Sequence, residues 1–424
     1  VRQSPNVLVL DRTVATHLLI DNGAAAGLAA FSPLRSELLS ISAKAVLIAT
    51  GGAAGLYRSN NIGQAKNQSW YCPFNTGGGL AMGIAAGAEM TTLEMRFIAL
   101  RLRGTMAPTG TMALGVGARQ LNALGAPYEK DYGYTTSQRV CAVQRETQLG
   151  RGPCRLTASA SKDKREDLYR AYLNMCPSQT LKWLENDETD ADLTISAEIE
   201  ASEPYVLGGH TAGGFWVDTN RRTTIKALWA AGDVSGGAPQ KYVTGSMAEA
   251  EIACDDISEY LRGTSQKNRA PIEALAKPIF RELSAFFDKP KGFLTTHWLD
   301  QALKQTMDTY AGGLATHYRY SSAELAAAQS RLDELRQLAK NLKAESFRDL
   351  LSIWELFERL TVSKSLVGHL AARKETRWPG FGVFSDFPDV SPKYECYVNS
   401  RLEGDDLKII YRPLVEENFY EHSD

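Results

Sequence analysis

The chain has 424 residues, 44% hydrophobic and 23% charged, with 47 Lys and Arg against 49 Asp and Glu and a formal charge of −2. That apolar content excludes a disordered chain, and the charge balance leaves no electrostatic footprint for nucleic acid. No apolar run reaches the ~18 residues of a membrane-spanning helix, and the length suits two or three domains of about 100–200 residues.

From Val1 the chain reads like the interior of a protein, with no basic segment followed by an apolar one, so no signal peptide is expected. Residues 6–13, 17–21 and 26–31 alternate apolar residues with turn signals such as Asp21-Asn22-Gly23, and predict short strands of a meander. Residues 43–49 (AKAVLIA) are a continuous apolar run ending in Thr50-Gly51-Gly52. That pattern suits a strand buried on both faces with a tight turn at its carboxyl end. Residues 75–90 (NTGGGLAMGIAAGAEM) read as a glycine-rich turn opening a small-residue helix, able to approach a sheet or a flat ligand closely.

From 91 to about 204 the sequence is less regular and carries the charged stretch 162–167, so an inserted domain is expected. Residues 229–233 (WAAGD) repeat the strand-to-glycine pattern, and 245–261 read as a helix. Beyond 270 the pattern is helical. Leu325, Leu332, Leu335, Leu338 and Leu342 share one face, as do Leu350, Trp354, Phe357 and Leu360, and Ser321 to Glu324 form a capping signal. The last residues read as a short pair of strands. The boundaries expected are 1–92, 93–204, 205–262, 263–377 and 378–424. Six scattered cysteines without a C-x-x-C predict neither a metal nor an iron–sulfur site, and fit reduced thiols in a cytoplasmic protein.

The turns at Ala49-Thr50-Gly51 and Ala231-Gly232-Asp233 share one physical meaning. A buried strand ends, the turn lacks side chains, and the backbone is open to a phosphate or a flavin edge. Asp233 is placed to accept hydrogen bonds from sugar or ribityl hydroxyls. ATGGAAGLYR and NTGGGLAMGIAAGAEM, followed by GGHTAGGFWVDTNRRTTIKALWAAGDVSGG and KYVTGSMAEAEIA, resemble the flavoproteins that include succinate dehydrogenase, fumarate reductase, L-aspartate oxidase and adenylylsulfate reductase.

The resemblance implies FAD and an α/β fold: an incomplete Rossmann-like FAD domain, an inserted α+β capping domain and a C-terminal helical domain. The G-x-G-x-x-G that grips the ADP in that family is not in the sequence. The N-terminal βαβ is therefore expected upstream of Val1, and these residues alone are expected to bind FAD weakly. Carried over position by position, the flavin contacts fall on Ala49, Thr50, Gly51, Thr76, Gly77, Gly79, Gly232, Asp233, Gly245 and Ser246. Ser246 is expected to open a helix whose positive end faces the flavin.

Succinate and fumarate enzymes of the family use two histidines and two arginines to clamp and protonate a dicarboxylate. Here Ile98 and Leu114 stand at the first His and the first Arg, His210 keeps the second His, and Lys241 replaces the last Arg. SWYCPFNTGGG, EMRFIALRLRGTMAPTGT, PQKYVTGSMAEAE and ARKETRWPGF are instead similar to the adenylylsulfate reductase alpha branch. That resemblance implies interconversion of adenosine 5′-phosphosulfate with AMP plus sulfite through a flavin N5–sulfite adduct. It also implies electron transfer to a separate iron–sulfur beta subunit. Arg96 and Arg101 are then candidates for the substrate anion, Trp70 for a stacking face, and His210 and Lys241 for charge or protons. Arg151 reads equally as a ligand-facing or a turn residue, and the remaining histidines as structural or solvated. The alternatives are a fumarate reductase-like flavoprotein for another small organic acid, or a non-catalytic partial chain.

Overall fold

The computed structural model describes residues 4–61, 69, 71–105, 114–115, 117–159, 162–175, 177, 194–207, 211–237, 241–264 and 270–414. The meander is present as β1 (Val14–Asp21), β2 (Ala24–Ser32) and β3 (Glu37–Ser42), all antiparallel. Residues 6–13 are not a strand, against their alternation. Leu8 is 83% exposed, and without a sheet to bury them alternate apolar residues do not make a strand. The apolar run 43–49 supplies β4 (Val46–Ile48), and the small-residue helix is α1 (Gly78–Ala85), followed by β5 (Met90–Thr91).

Residues 100–201 build a separate antiparallel sheet from β6 (Leu100–Leu102), β7 (Arg119–Leu121), β8 (Arg155–Ser159) and β9 (Thr194–Ala201), in the order β6-β9-β8-β7. The helix α2 (Thr136–Gln148) packs on it, and Ile98, Val140, Val143, Leu156, Leu168 and Ile199 lie in its core. The helix α3 (Lys162–Met175) carries the charged stretch.

The chain then returns through β10 (Gly214–Phe215), β11 (Leu228–Ala230) and α4 (Tyr242–Gly263). Next come α5 (Ile272–Ala285), α6 (Thr296–Tyr310), β12 (Arg319–Tyr320), α7 (Ser322–Ala339) and α8 (Phe347–Ala372). Ser321 caps α7 as its sequence suggests, accepting from the Glu324 N–H. Leu338 is the exception on the leucine face, 37% exposed at the penultimate residue of the helix.

After β13 (Val383–Phe384), the final pair is a hairpin of β14 (Cys396–Glu403) and β15 (Asp406–Pro413). It does not stand alone: β14 pairs with β5, giving the sheet β10-β5-β14-β15. A single apolar cluster runs from Leu18 through Leu80, Leu303 and Leu360 to Phe384, so the late helices and the early strands share a core. Among the described residues, no helix is long and apolar enough to cross a membrane, and no group of His, Cys, Asp or Glu is arranged to hold a metal.

Candidate functional site

The site starts from β4 and β11, which run parallel, with Val46, Leu47 and Ile48 opposite Leu228, Trp229 and Ala230. Both strands end in glycine turns at the same edge, and Ala231 N–H donates to the Ile48 carbonyl at 3.0 Å. Gly51 and Gly232 take φ of 70° and 78°, left-handed values that a side chain disfavours. Between the two turns lies a pocket of about 190 Å³ lined by Ala49, Gly51, Ala231, Gly232, Asp233, Ser246 and Ala250. Five of the ten residues expected to meet the flavin are thus brought to one cavity.

The other five divide. Thr50, Gly77 and Gly79 stand behind the first turn. A Cβ on Gly79 would collide with Thr50 Oγ1 and come within 2.7 Å of Ile48 Cγ2, so α1 packs here with its backbone directly against the end of β4. Thr76 bridges to Ala53 and donates its hydroxyl to Glu358 of α8. Gly245 lies within the first turn of α4, where an added Cβ would meet only the Lys241 side chain, at 3.2 Å. Ser246 does not open the helix: α4 begins at Tyr242, so Ser246 is its fifth residue and reaches the pocket from the helix side.

The second turn is held by charges. Gly232 N–H donates to Glu249 Oε2 at 2.9 Å, and Lys241 Nζ donates to the carbonyls of Gly232, at 3.0 Å, and Ser235. Glu249 also pairs with Lys241 at 3.4 Å and with Arg221 at 3.2 Å. The Gly232 amide is therefore committed to a carboxylate and is not open to a ligand, a correction to the open-backbone expectation. Burial pushes the Lys241 ammonium below its ordinary pKa, with Glu249 and Asp233 opposing the shift. Burial also raises the Asp233 carboxyl, and its Oδ1 is buried with no hydrogen-bond partner.

The two arginines have different surroundings, although both are fully buried. Arg96 donates through Nη1 to Tyr57 Oη at 2.8 Å and to the carbonyls of Ala311 and Gly312 at 2.7 Å, and through Nη2 to the Phe381 carbonyl at 2.8 Å. A guanidinium spent on three main-chain carbonyls is a staple between distant segments, which corrects its placement as an anion ligand. Arg101 on β6 lies opposite Glu200 on β9. It has ion pairs of 3.4 Å to Glu200 and Glu203, while its Nε and Nη2 make no hydrogen bond. Arg151 is held by Glu146, with Nε to Oε2 at 2.7 Å, which is the turn role. Trp70 and His210 lie outside the described residues.

Several residues at the site carry no motif. Glu249 shares a helix face with Lys241 and Gly245 at spacings of four, a signal visible once the helix start is known. Tyr71 and Tyr205 stack with ring centroids 4.0 Å apart, and a Cβ on Gly51 would lie 3.7 Å from Tyr71 Oη.

Comparison with known proteins gives a consistent picture. Residues 1–246 match the family described as an FAD binding domain. The chain is 27% identical to the adenylylsulfate reductase subunit alpha of Megalodesulfovibrio gigas, over 96% of this chain and 71% of that protein. It superposes on the adenylylsulfate reductase structure from Archaeoglobus fulgidus with a TM-score of 0.86 and 29% identity, over 95% of this chain and 72% of that one. A structure of adenosine-5-phosphosulfate reductase in complex with sulfite, as a covalent adduct, matches with a TM-score of 0.85 and 28% identity, over 95% and 72%.

Proposed function

The chain belongs to the FAD binding domain family, and from that premise we propose that it is the flavin-bearing subunit of an enzyme interconverting adenosine 5′-phosphosulfate with AMP and sulfite. Its cofactor is FAD, and its chemistry is that of a flavin-dependent oxidoreductase. The observation that carries the reading is Asp233 Oδ1, a buried acceptor without a partner on a residue that lines the glycine-walled pocket. A ligand hydroxyl satisfies such an atom, and the glycines leave room for a flat ring system. FAD, once bound and reduced by its electron partner, would supply the two electrons that take the substrate sulfur from S(VI) to S(IV) as its S–O bond to the phosphate breaks, AMP keeping the bridging oxygen and taking a proton on it.

The chain's own residues bind and orient. We assign the anionic sulfonyl group to Arg101, whose Nε and Nη2 make no hydrogen bond and suit oxyanion oxygens, while the 3.4 Å ion pairs to Glu200 and Glu203 hold the guanidinium plane. Lys241 fixes the Gly232–Ser235 turn and places positive charge beside Asp233. Trp70 and His210 keep the stacking and proton-handling roles that the resemblance implies. A separate iron–sulfur subunit exchanges electrons with the flavin.

A dicarboxylate substrate has less support, because Ile98 is fully buried in the core of the 100–201 sheet and offers no proton. Anaerobic turnover of the flavin-loaded protein with AMP plus sulfite and ferricyanide as electron acceptor, measured against fumarate with a reduced viologen dye as electron donor, tests the reading. The expected result is AMP-dependent sulfite oxidation without fumarate reduction. Turnover with fumarate alone overturns it.

A further inference from the structure

Glu358 is a carboxylate of the late helices that reaches the α1 turn. It lies in the interior of α8, 5% exposed. Its Oε2 accepts the Thr76 hydroxyl proton, and its Oε1 occupies space 2.8 Å from where a Cβ on Gly78 would stand. Gly78 is the first residue of α1, and Gly77 before it is left-handed, with φ 86°. The carboxyl therefore fills the gap between α8 and the opening of α1.

The contacts continue from there to the pocket. Thr76 bridges to Ala53, and Gly79 backs onto Thr50. Thr50 precedes Gly51, which lines the pocket. A displacement of the Thr76–Gly79 turn is thus transmitted through close contacts to the turn where the flavin is assigned.

The groups around the carboxyl are few. Glu355, one turn earlier on α8, adds negative charge, and Arg359, the next residue, adds positive charge. Arg359 is itself shared between the carbonyls of Ala54 and Pro73 and the Asp300 carboxylate of α6. Asp300 also takes Lys304 at 2.6 Å. Among the described residues, α1 and its turn bring the Thr76 hydroxyl and the Gly78 backbone to it and no cation. Burial, reinforced by Glu355 and opposed by Thr76, Arg359 and Trp354, pushes the Glu358 carboxyl up to about 7.

The two protonation states present different hydroxyls. An ionised Glu358 can only accept, so the Thr76 proton stays on the Glu358 side and Thr76 offers lone pairs elsewhere. A protonated Glu358 can donate to Thr76 Oγ1, which frees the Thr76 proton to point away. We propose that Glu358 is a proton-bearing positioning residue for the flavin, setting the donor or acceptor character of Thr76 and the seat of the Thr76–Gly79 turn. This rests on the flavin reading given above.

The test is the pH dependence of the bound flavin in the assembled, flavin-loaded protein, read as visible absorption and midpoint potential between pH 5.5 and about 8.5. The proposal expects an inflection near neutral pH that disappears in Glu358→Gln, which keeps the shape and an acceptor for Thr76 but cannot titrate. It also expects loss of the inflection in Thr76→Val, with circular dichroism and flavin content retained in both variants. An inflection that persists in Glu358→Gln, or that survives undiminished in Thr76→Val, overturns it. Difference infrared spectroscopy of the carboxyl stretch separates the two layers. A protein that holds no flavin at any pH sinks the flavin reading. A neutral-pH carboxyl band that is unchanged in Glu358→Gln sinks the residue assignment.

Discussion

Gly232 and Glu249 are joined by a 2.9 Å hydrogen bond from a turn amide to a helix carboxylate. It makes the second wall of the pocket depend on α4. The same carboxylate pairs with both Lys241 and Arg221, and Lys241 in turn holds the Gly232 and Ser235 carbonyls. One acid therefore sets the position of a turn and of two cations. Glu249→Ala leaves a buried ammonium and a buried amide without their anion, an expected loss of about 3–5 kcal/mol in stability. Glu249→Gln, which keeps the acceptor for Gly232, is expected to lose less. Chemical denaturation of both variants decides this, and equal losses count against the charge argument.

Gly79→Ala is expected to be tolerated worse than any ordinary helix substitution. Alanine favours helices, but this Cβ meets Thr50 Oγ1 and Ile48 Cγ2 at the end of β4. Overpacking of this kind costs about 1–3 kcal/mol and here pushes the Thr50–Gly51 turn toward the pocket. The expected outcome is reduced flavin content at near-normal helicity. Adding Thr50→Ala removes the hydroxyl clash but not the Ile48 contact, so flavin content is expected to recover only in part.

These two walls differ in how far they could be read from sequence. The strands β4 and β11 and their glycine turns are local features, an apolar run followed by residues without side chains, and such signals survive without tertiary information. The start of α4 does not, because Gly245 looks like a boundary and is instead an interior helix residue beside Lys241. The pairing of β5 with β14 joins residues 90 and 91 to residues 399 and 400, and a two-residue strand has no period to detect. Arg96 and Arg101 look alike in sequence, five positions apart. What separates them is supplied from far along the chain: the carbonyls of Ala311, Gly312 and Phe381 for one, Glu200 and Glu203 for the other. Glu358 sits in an amphipathic helix with no motif around it, so nothing local marks it.

Stability should depend on pH through His17. Its ring lies 4.8 Å from that of Trp354, and burial pushes its pKa down to about 4. The unfolded chain, with a histidine near 6.5, binds more protons than the folded one between those values. The contribution of neutral His17 is therefore full above about 6.5 and is lost as pH falls toward 4. Melting temperatures across that window should drop with acidification, and His17→Phe should flatten the drop. An unchanged slope in the variant would assign the acid sensitivity to other groups.

Arg96 and Arg101 provide the sharpest separation of structure from chemistry. Arg96→Met strands the buried Gly312 and Phe381 carbonyls, while the Ala311 carbonyl keeps the Tyr57 hydroxyl, and at about 1–3 kcal/mol for a stranded buried group it should destabilise the fold by at least about 2 kcal/mol. Arg101→Met instead removes a guanidinium whose Nε and Nη2 make no hydrogen bond and whose ion pairs to two carboxylates are long, at 3.4 Å. It leaves Glu200, whose carboxyl burial already raises, free to take a proton, which softens the structural cost. The expected pattern is a large fall in melting temperature with Arg96→Met. For Arg101→Met it is a modest fall, accompanied by a KM for the anionic substrate raised at least about tenfold, as loss of a charge-assisted contact predicts. Paired measurements of melting temperature and KM on the two variants decide it. A KM unchanged in Arg101→Met would remove that residue from the substrate site. A stable Arg96→Met with raised KM would return Arg96 to it.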